Sequence, residues 1–223
     1  MSTRLGARLA ALLVPATLLL PVAAHAETVT VDDPAGDAKA LNLASELGAF
    51  FFGGGDDAQP SFLDAPNEVA TDVTRTTITH AKRVTVTTHF RDLVDGTEHS
   101  LGMRVFTPRG PFDLVAGRSA DGRSFAELDR SAPTVVSESG DVRPRPCRSV
   151  RSRYDLVAET VTVSFPAACV DKPRWIQVAS GASRFQLTPV GDGSVNLAGF
   201  ADDAFRSTLS ENSMGRSPKV RRG

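Results

Sequence analysis

The sequence of 223 residues lacks the short motifs on which several enzyme classes depend. It contains no GxSxG nucleophile elbow, no GxGxxG or GxxxxGK[ST] phosphate loop and no HExxH metalloprotease motif. The nearest approach to the first of these is Gly117-Arg118-Ser119-Ala120-Asp121, which we interpret as a turn. Because these motifs are absent, the sequence gives no support to α/β-hydrolase, nucleotide-dependent or HExxH-type zinc chemistry. No other short motif reveals an activity.

Tryptophan and tyrosine are almost absent, with one residue of each type. Trp175 and Tyr154 are thus the only residues of the kinds on which extracellular modules commonly stack sugars. Trp175 is a candidate ligand contact, with packing in the core as the alternative. Nucleic acid binding without sequence preference also calls for stacking aromatic residues, so we predict no nucleic acid partner.

The sequence has only one long apolar run. Leu9 to Leu20 follows two arginines and precedes the small-x-small site Ala24-His25-Ala26, the pattern of a secretory signal peptide over residues 1–26. The run is about 12 residues long, shorter than the roughly 20 that span a bilayer. We expect a mature chain that begins at Glu27, is secreted, and is not inserted in a membrane.

Charge and cysteine content fit that expectation. Without the two arginines of the leader the chain carries 23 basic and 26 acidic residues, a net charge of −3, which attracts neither nucleic acid nor membranes strongly. Cys147 and Cys169 are too far apart for a CxxC redox motif, and their neighbours offer no zinc ligands. An even number of cysteines in an exported chain predicts a disulfide between them.

The hydrophobic pattern from Thr28 onward has mostly a period of two, which indicates strands. Turn residues separate the short runs at intervals of about ten residues, as in sandwiches and barrels. We predict a single all-β domain over residues 27–206, an antiparallel sandwich of jelly-roll or immunoglobulin-like outline with about 8–10 strands. The predicted strands are 28–31, 72–81, 84–93, 101–107, 112–118, 124–129, 134–137, 150–157, 160–165 and 174–180.

Three further segments lie outside this pattern. Ala40 to Phe52 is the best candidate for a short helix, because its apolar residues could share one face before three glycines end it. Gly53 to Asn67 is predicted to be a long loop, of the kind that is functional or mobile. Residues 207–223 are polar and basic, and we predict a disordered tail.

The hairpin formed by 72–81 and 84–93 is the clearest prediction. With a turn at Lys82 and Arg83, His80 is expected opposite Thr85 and His89 about 13 Å further along, too far for a shared metal. Val84, Val86 and Phe90 define the buried face in this arrangement. Both histidines are therefore expected on the solvent face.

Acidic residues cluster at two places. Asp32, Asp33 and Asp37 surround a Pro/Gly turn, and Asp202 and Asp203 lie near the end of the predicted domain. Carboxylates and turn carbonyls are the oxygen ligands that calcium prefers, and the termini of sandwiches often lie close together. The five residues are a candidate calcium site; the alternative is that aspartates cap the turn through their own backbone. No other cofactor is predicted.

Arginines are concentrated around Cys147. On a strand, Arg151 and Arg153 would share a face and could hold a phosphate or carboxylate polymer, which makes them candidate ligand contacts. The alternative is a solvated face of partly paired charges. The arginines of this segment are Arg143, Arg145, Arg148, Arg151 and Arg153.

Several stretches resemble a broad group of exported actinobacterial proteins of no established activity. They are the leader, Asp33-Pro34-Ala35-Gly36-Asp37, the hairpin from Asp72 to Leu93, and the segment from Val161 to Trp175. Such proteins are similar in outline to the sandwich modules of the DOMON and family-9 carbohydrate-binding types, which bind haem or sugars. The resemblance implies the fold only, because no axial Met/His pair for haem can be assigned and aromatic residues are few.

Three classes of function stay open on the sequence. We expect a non-enzymatic, monomeric module that binds an extracellular ligand or partner (cell wall, polysaccharide or protein) through loops such as Gly53 to Asn67. A hydrolase with an acidic site at Asp32, Asp37 and Asp56 is the first alternative. A protease inhibitor that presents a loop held by Cys147 and Cys169 is the second.

Overall fold

The computed structural model describes residues 26–42, 62–130, 147–189, 195–210 and 213–223. The predictions for the leader, the strand at 134–137, Asp56, Arg143 and Arg145 lie outside these residues.

Two antiparallel sheets pack face to face, so the predicted all-β sandwich is confirmed. The strands are β1 (Glu27–Asp32), β2 (Lys39–Leu41), β3 (Phe62–Asp64), β4 (Val73–His80), β5 (Arg83–Phe90), β6 (His99–Thr107), β7 (Gly110–Arg118), β8 (Ser124–Arg130), β9 (Arg151–Asp155), β10 (Thr160–Pro166), β11 (Trp175–Pro189), β12 (Val195–Asp203) and β13 (Val220–Arg221).

The two sheets differ in size. The five-stranded sheet has the order β1-β4-β5-β10-β9, and the larger sheet has the order β3-β2-β12-β11-β6-β7-β8, with β13 added to the start of β11. Every pairing between described strands is antiparallel, and in β5 and β10 buried residues alternate strictly with half-buried ones. The core therefore lies between two half-solvated sheets, the arrangement that a period of two predicts.

Buried valines and larger apolar side chains from both sheets meet in the core. Val84, Val86 and Val163 of the smaller sheet and Val105 and Val178 of the larger one are fully buried. The predicted disulfide is also confirmed, and it joins Cys147 to Cys169 with Cα atoms 5.6 Å apart. Cys169 lies in a short 3-10 helix at Ala167–Val170, so the bridge ties the start of β9 to the end of β10.

The turn between β4 and β5 corrects the prediction for His80. Ala81 and Lys82 form the turn, His80 pairs with Val84, and His80 is fully buried. The register differs by one residue from the predicted one, and a one-residue shift moves a side chain to the opposite face of a strand. His80 therefore lies in the core, where its Nδ1 is 3.1 Å from the carbonyl oxygen of Val220. His89 is half-buried, on the opposite face.

The end of the chain is ordered over residues 213–223, so the prediction of a disordered tail is wrong there. Ser217 exchanges two hydrogen bonds with Val178 of β11, through its own backbone N–H (2.8 Å) and through its hydroxyl (2.9 Å). Val220 is fully buried in the core, and the N–H of Gly223 donates to the carbonyl of His80. We call residues 213–223 the C-terminal strap, since it contacts strands of both sheets.

Two other predicted segments also differ. Ala40 and Leu41 belong to β2, where a helix was expected, and residues 43–52 lie outside the described part of the chain. Phe62–Asp64 forms β3 within the predicted loop, and it pairs with β2. No helix among the described residues is long and apolar enough to cross a membrane.

Candidate functional site

Three of the predicted acidic residues converge. Asp33 and Asp37 lie on the turn after β1, and Asp202 lies near the end of β12. One carboxylate oxygen from each of the three lies within 4.8 Å of the others. Asp33 and Asp202 are buried and Asp37 is half-buried. We call these three residues the acidic cluster.

Asp32 and Asp203 have other roles. Asp32 is the last residue of β1; its side chain points to solvent and pairs with Arg75 at 2.5 Å, so it is removed from the candidate set. Asp203 is buried beside the cluster, but its oxygens accept hydrogen bonds from the N–H groups of Phe205 (3.1 Å) and Gly215 (2.7 Å). Asp203 therefore anchors the C-terminal strap.

Asp72 is a neighbour of the cluster that the sequence analysis missed. It precedes β4, it is fully buried, and one of its oxygens accepts a hydrogen bond from the N–H of Gly36 at 2.7 Å. The same oxygen is 2.9 Å from the guanidinium of Arg91. Gly36 has a φ of 88°, a conformation that favours glycine. Asp72 thus fixes the turn that carries Asp33 and Asp37, and no sequence pattern marked it.

Burial and mutual repulsion change the acidity of these groups. Burial, with added repulsion from Asp202 and Asp37, raises the pKa of Asp33 to about 8. Burial likewise raises the pKa of Asp202 to about 7, against the opposing hydrogen bond from the N–H of Val73. The pKa values of Asp37, Asp72 and Asp203 are also raised, mainly by burial. The negative charges are therefore poorly compensated by the groups that surround them.

The second candidate site is the outer face of the larger sheet, the face turned away from the core. At its centre, the outward residues of β6, β7 and β11 are small: Ser100, Gly102, Gly117, Gly181 and Ser183. Two clefts lie on this face. One, of about 460 Å³, is lined by residues that include Phe106, Val115 and Met214; the other, of about 200 Å³, is lined by residues that include Phe125 and Phe185.

Apolar side chains line this outer face where polar ones would be usual. Phe125 and Phe185 are each about half exposed, and Leu187 and Leu197, which pair across β11 and β12, are 68% and 45% exposed. The ring of Phe125 lies over Gly117, where an added Cβ would be 2.3 Å from it. Glycines on this face therefore allow bulky side chains to lie flat on the sheet.

Charged groups occur at one end of the outer face. Arg104 pairs with Asp113 at 2.6 Å, and the guanidinium of Arg216 lies 3.8 Å from the centroid of the Phe106 ring. Arg216 belongs to the C-terminal strap, which borders the larger cleft. The outer face thus combines apolar walls with a charged rim.

The other predicted ligand contacts are not brought together. Arg151 and Arg153 are exposed on β9, an edge strand of the smaller sheet, and Arg153 pairs with Asp155 at 2.9 Å. Trp175 is half-buried at the start of β11, with the ammonium of Lys219 4.5 Å from its ring centroid. The two arginines belong to the smaller sheet and Trp175 to the larger one, so the three residues form no common site.

No known protein family, curated protein or solved structure matches the chain. The resemblance to DOMON and family-9 carbohydrate-binding modules stays a hypothesis.

Proposed function

We propose that the protein is a secreted, non-enzymatic β-sandwich module that binds an extracellular protein through the outer face of its larger sheet. The observation that carries the proposal is the exposed apolar row Phe125, Phe185, Leu187 and Leu197, beside two clefts. Contiguous exposed apolar surface of this kind marks interaction sites on soluble proteins. The disulfide is typical of proteins that work in oxidising compartments.

The chemistry of this face favours a protein over a polysaccharide. Sugar-binding faces commonly present Trp or Tyr, but the Tyr154 hydroxyl is buried without a hydrogen-bond partner and Trp175 is covered on one side by Lys219. Protein interfaces combine an apolar centre with a polar rim and are enriched in Phe, Met and Arg. Phe125, Phe185 and Met214 with the Arg104–Asp113 pair fit that composition.

The two alternative functions have less support. A hydrolase with a site at Asp32, Asp37 and Asp56 would need these carboxylates in a cleft that admits substrate. Neither described cleft is lined by Asp32 or Asp37, and Asp56 lies outside the described residues. An inhibitor would need a protruding loop between the cysteines. The chain between Cys147 and Cys169 instead forms the β9–β10 hairpin within the smaller sheet.

Site-specific photo-crosslinking tests the proposal. A benzophenone amino acid replaces Leu187 on the outer face in one variant and Val157, which is 97% exposed on the β9–β10 turn, in a matched control. Both variants are added to the culture medium and cell surface of the organism that makes the protein. We expect one protein to crosslink at Leu187 and not at Val157, and to be lost when Phe185→Asp is also introduced.

Three results would contradict the proposal. Equal crosslinking at both positions would mean that the outer face is not selective. Crosslinks only between copies of the chain, with sedimentation as a dimer, would identify a self-association surface. Retention on cell-wall polysaccharide that Phe185→Asp abolishes would assign the face to a sugar.

A further inference from the structure

The acidic cluster brings three carboxyl groups together at a place for which the described part of the chain supplies no cation. None of the ion pairs among the described residues involves Asp33, Asp37 or Asp202. Two basic side chains close to the cluster are already engaged, since Arg91 pairs with Asp72 and Lys39 pairs with Asp64 at 2.5 Å. Buried charges in proteins are normally paired or bound to metal.

Unpartnered oxygens give a second and independent sign of a missing ligand. Asp33 is only 9% exposed, and its Oδ2 accepts no hydrogen bond. Both carboxylate oxygens of Asp37 are likewise buried and unpartnered. Most buried polar atoms in native proteins have a partner, so each exception calls for a reason. Asp33 and Asp37 together present three unpartnered oxygens close to Asp202. This arrangement points to one bound ligand, a cation that contacts several of these oxygens at once.

The scaffold around the cluster is held rigidly from both sides. The N–H of Val73 donates to Oδ2 of Asp202 at 2.8 Å, and the N–H of Asp203 donates to its Oδ1 at 2.9 Å. Asp72 holds Gly36 between the other two carboxylates. Hydrogen bonds to the backbone thus position the oxygens of Asp202 and the turn that carries Asp33 and Asp37 before any ligand binds, which lowers the entropic cost of binding.

We propose that Asp33, Asp37 and Asp202 bind a calcium ion that joins the β1–β2 turn to the end of β12. The ligand set is all oxygen, without the histidine or cysteine that zinc and copper prefer. Calcium bonds oxygen at about 2.3–2.6 Å, so ligands on opposite sides of one ion lie about 5 Å apart. The separation of up to 4.8 Å between the three oxygens fits a single calcium shell. Bidentate carboxylates, backbone carbonyls and water complete the six to eight oxygens that calcium takes.

The site is independent of the outer face, and its test does not require a protein partner. The secreted chain is stripped with EGTA, and its unfolding temperature is followed as calcium chloride or magnesium chloride is added. We expect a dissociation constant for calcium of about 0.1–1 mM, as in extracellular modules. The melting temperature should increase by about 5–10 °C at a calcium concentration 100-fold above that constant. Magnesium should give a much smaller shift, since it needs a tighter octahedral shell.

Two neighbouring substitutions assign the effect to the cluster. Asp37→Asn removes one ligand charge and no described side-chain hydrogen bond, so it should fold and lose the calcium-induced shift. Asp32→Asn, next to Asp33 at the end of β1 but paired with Arg75 at the surface, is the matched control and should keep the full shift. Asp33→Asn is a second ligand variant, with the same expected loss.

The proposal is overturned by any of three results. The first is a wild-type melting temperature that 10 mM calcium leaves unchanged, with no heat of binding by calorimetry. The second is a calcium shift that both Asp37→Asn and Asp33→Asn retain. The third is a shift that Asp32→Asn abolishes as fully as the ligand variants do, since the effect would then come from the general charge of the turn.

Discussion

Two groups of buried carboxylates lie in this sandwich, and their surroundings differ. Glu68 receives two hydrogen bonds from the guanidinium of Arg184, at 2.8 and 2.6 Å, and two more from the N–H groups of Ala70 and Thr71. Asp33 and Asp37 face each other and Asp202 with oxygens that have no partner. Among the described residues, Glu68 has a counterion and the acidic cluster has none. A buried acid is thus structural at one place and, in our proposal, a calcium ligand at the other.

The largest loss of stability is expected when Glu68, like the carboxylates of the acidic cluster, has no cation beside it. Arg184→Met leaves the buried carboxylate without its cation, and breaking one side of a buried pair destabilises proteins by about 3–5 kcal/mol. Urea unfolding of the purified chain measures this loss, with or without calcium. The double variant Glu68→Gln, Arg184→Met is the control; it should recover about 2 kcal/mol, because the charge that needed compensation is gone. A loss below about 1 kcal/mol for Arg184→Met would mean that solvent reaches Glu68.

An intermediate effect should come from His99, which lies beside the Glu68–Arg184 pair. Burial, with repulsion from Arg184, lowers the pKa of His99 to about 4. Between pH 6.5 and 4 the unfolded chain therefore binds more protons at this residue than the folded chain does. The free energy of unfolding should then decrease as the pH is lowered, by up to about 1.4 kcal/mol per pH unit.

The contribution of His99 is isolated by comparing the wild type with His99→Gln. Between pH 7 and pH 5 the wild type should lose about 2 kcal/mol more than the variant, as measured by urea unfolding at each pH. Parallel pH profiles for the two proteins would contradict the prediction, because they would show that His99 has the same pKa in the folded and the unfolded chain.

The smallest expected change in stability distinguishes Asp33 from its neighbour Asp32. In EGTA at pH 7, Asp33→Asn should stabilise the protein by about 1–2 kcal/mol, because the raised pKa of Asp33 makes folding require the uptake of a proton, which the neutral amide does not need. Asp32→Asn breaks only an exposed ion pair and should change stability by less than about 1 kcal/mol. Thermal unfolding in EGTA measures both. A marked destabilisation by Asp33→Asn without calcium would indicate that its carboxylate already has a stabilising partner.

Local sequence signals predicted the parts of the fold that local geometry determines. The alternation of Val84, Val86 and Phe90 gave the correct buried face of β5, and the cysteine count gave the correct disulfide. The position of the turn was less well determined, and an error of one residue placed His80 on the wrong face. Strand periodicity thus predicted the sheet, but it did not determine the register.

The other differences between the predicted and the observed structure depend on contacts between residues that are far apart in the chain. Nothing near Val220 marks it as a core residue, because the partners of its segment, Val178 and His80, are far away in the chain. The same is true of Asp72, which joins the acidic cluster only because β4 lies beside β1. The end of β1 decides that Asp32 is exposed and Asp33 is buried. Strand ends are poorly determined by sequence, so this difference could not be predicted.

The C-terminal strap has a consequence for the order in which the contacts of the molecule can form. Val220 fills a position in the core, and Gly223 bonds to the same strand that pairs with β1. Arg221 of the strap contacts Glu27 of β1 although 194 residues separate them in the chain. The first strand of the sandwich is therefore synthesised long before the segment that completes its core. A truncation ahead of Val220 would remove part of the interior as well as a strand.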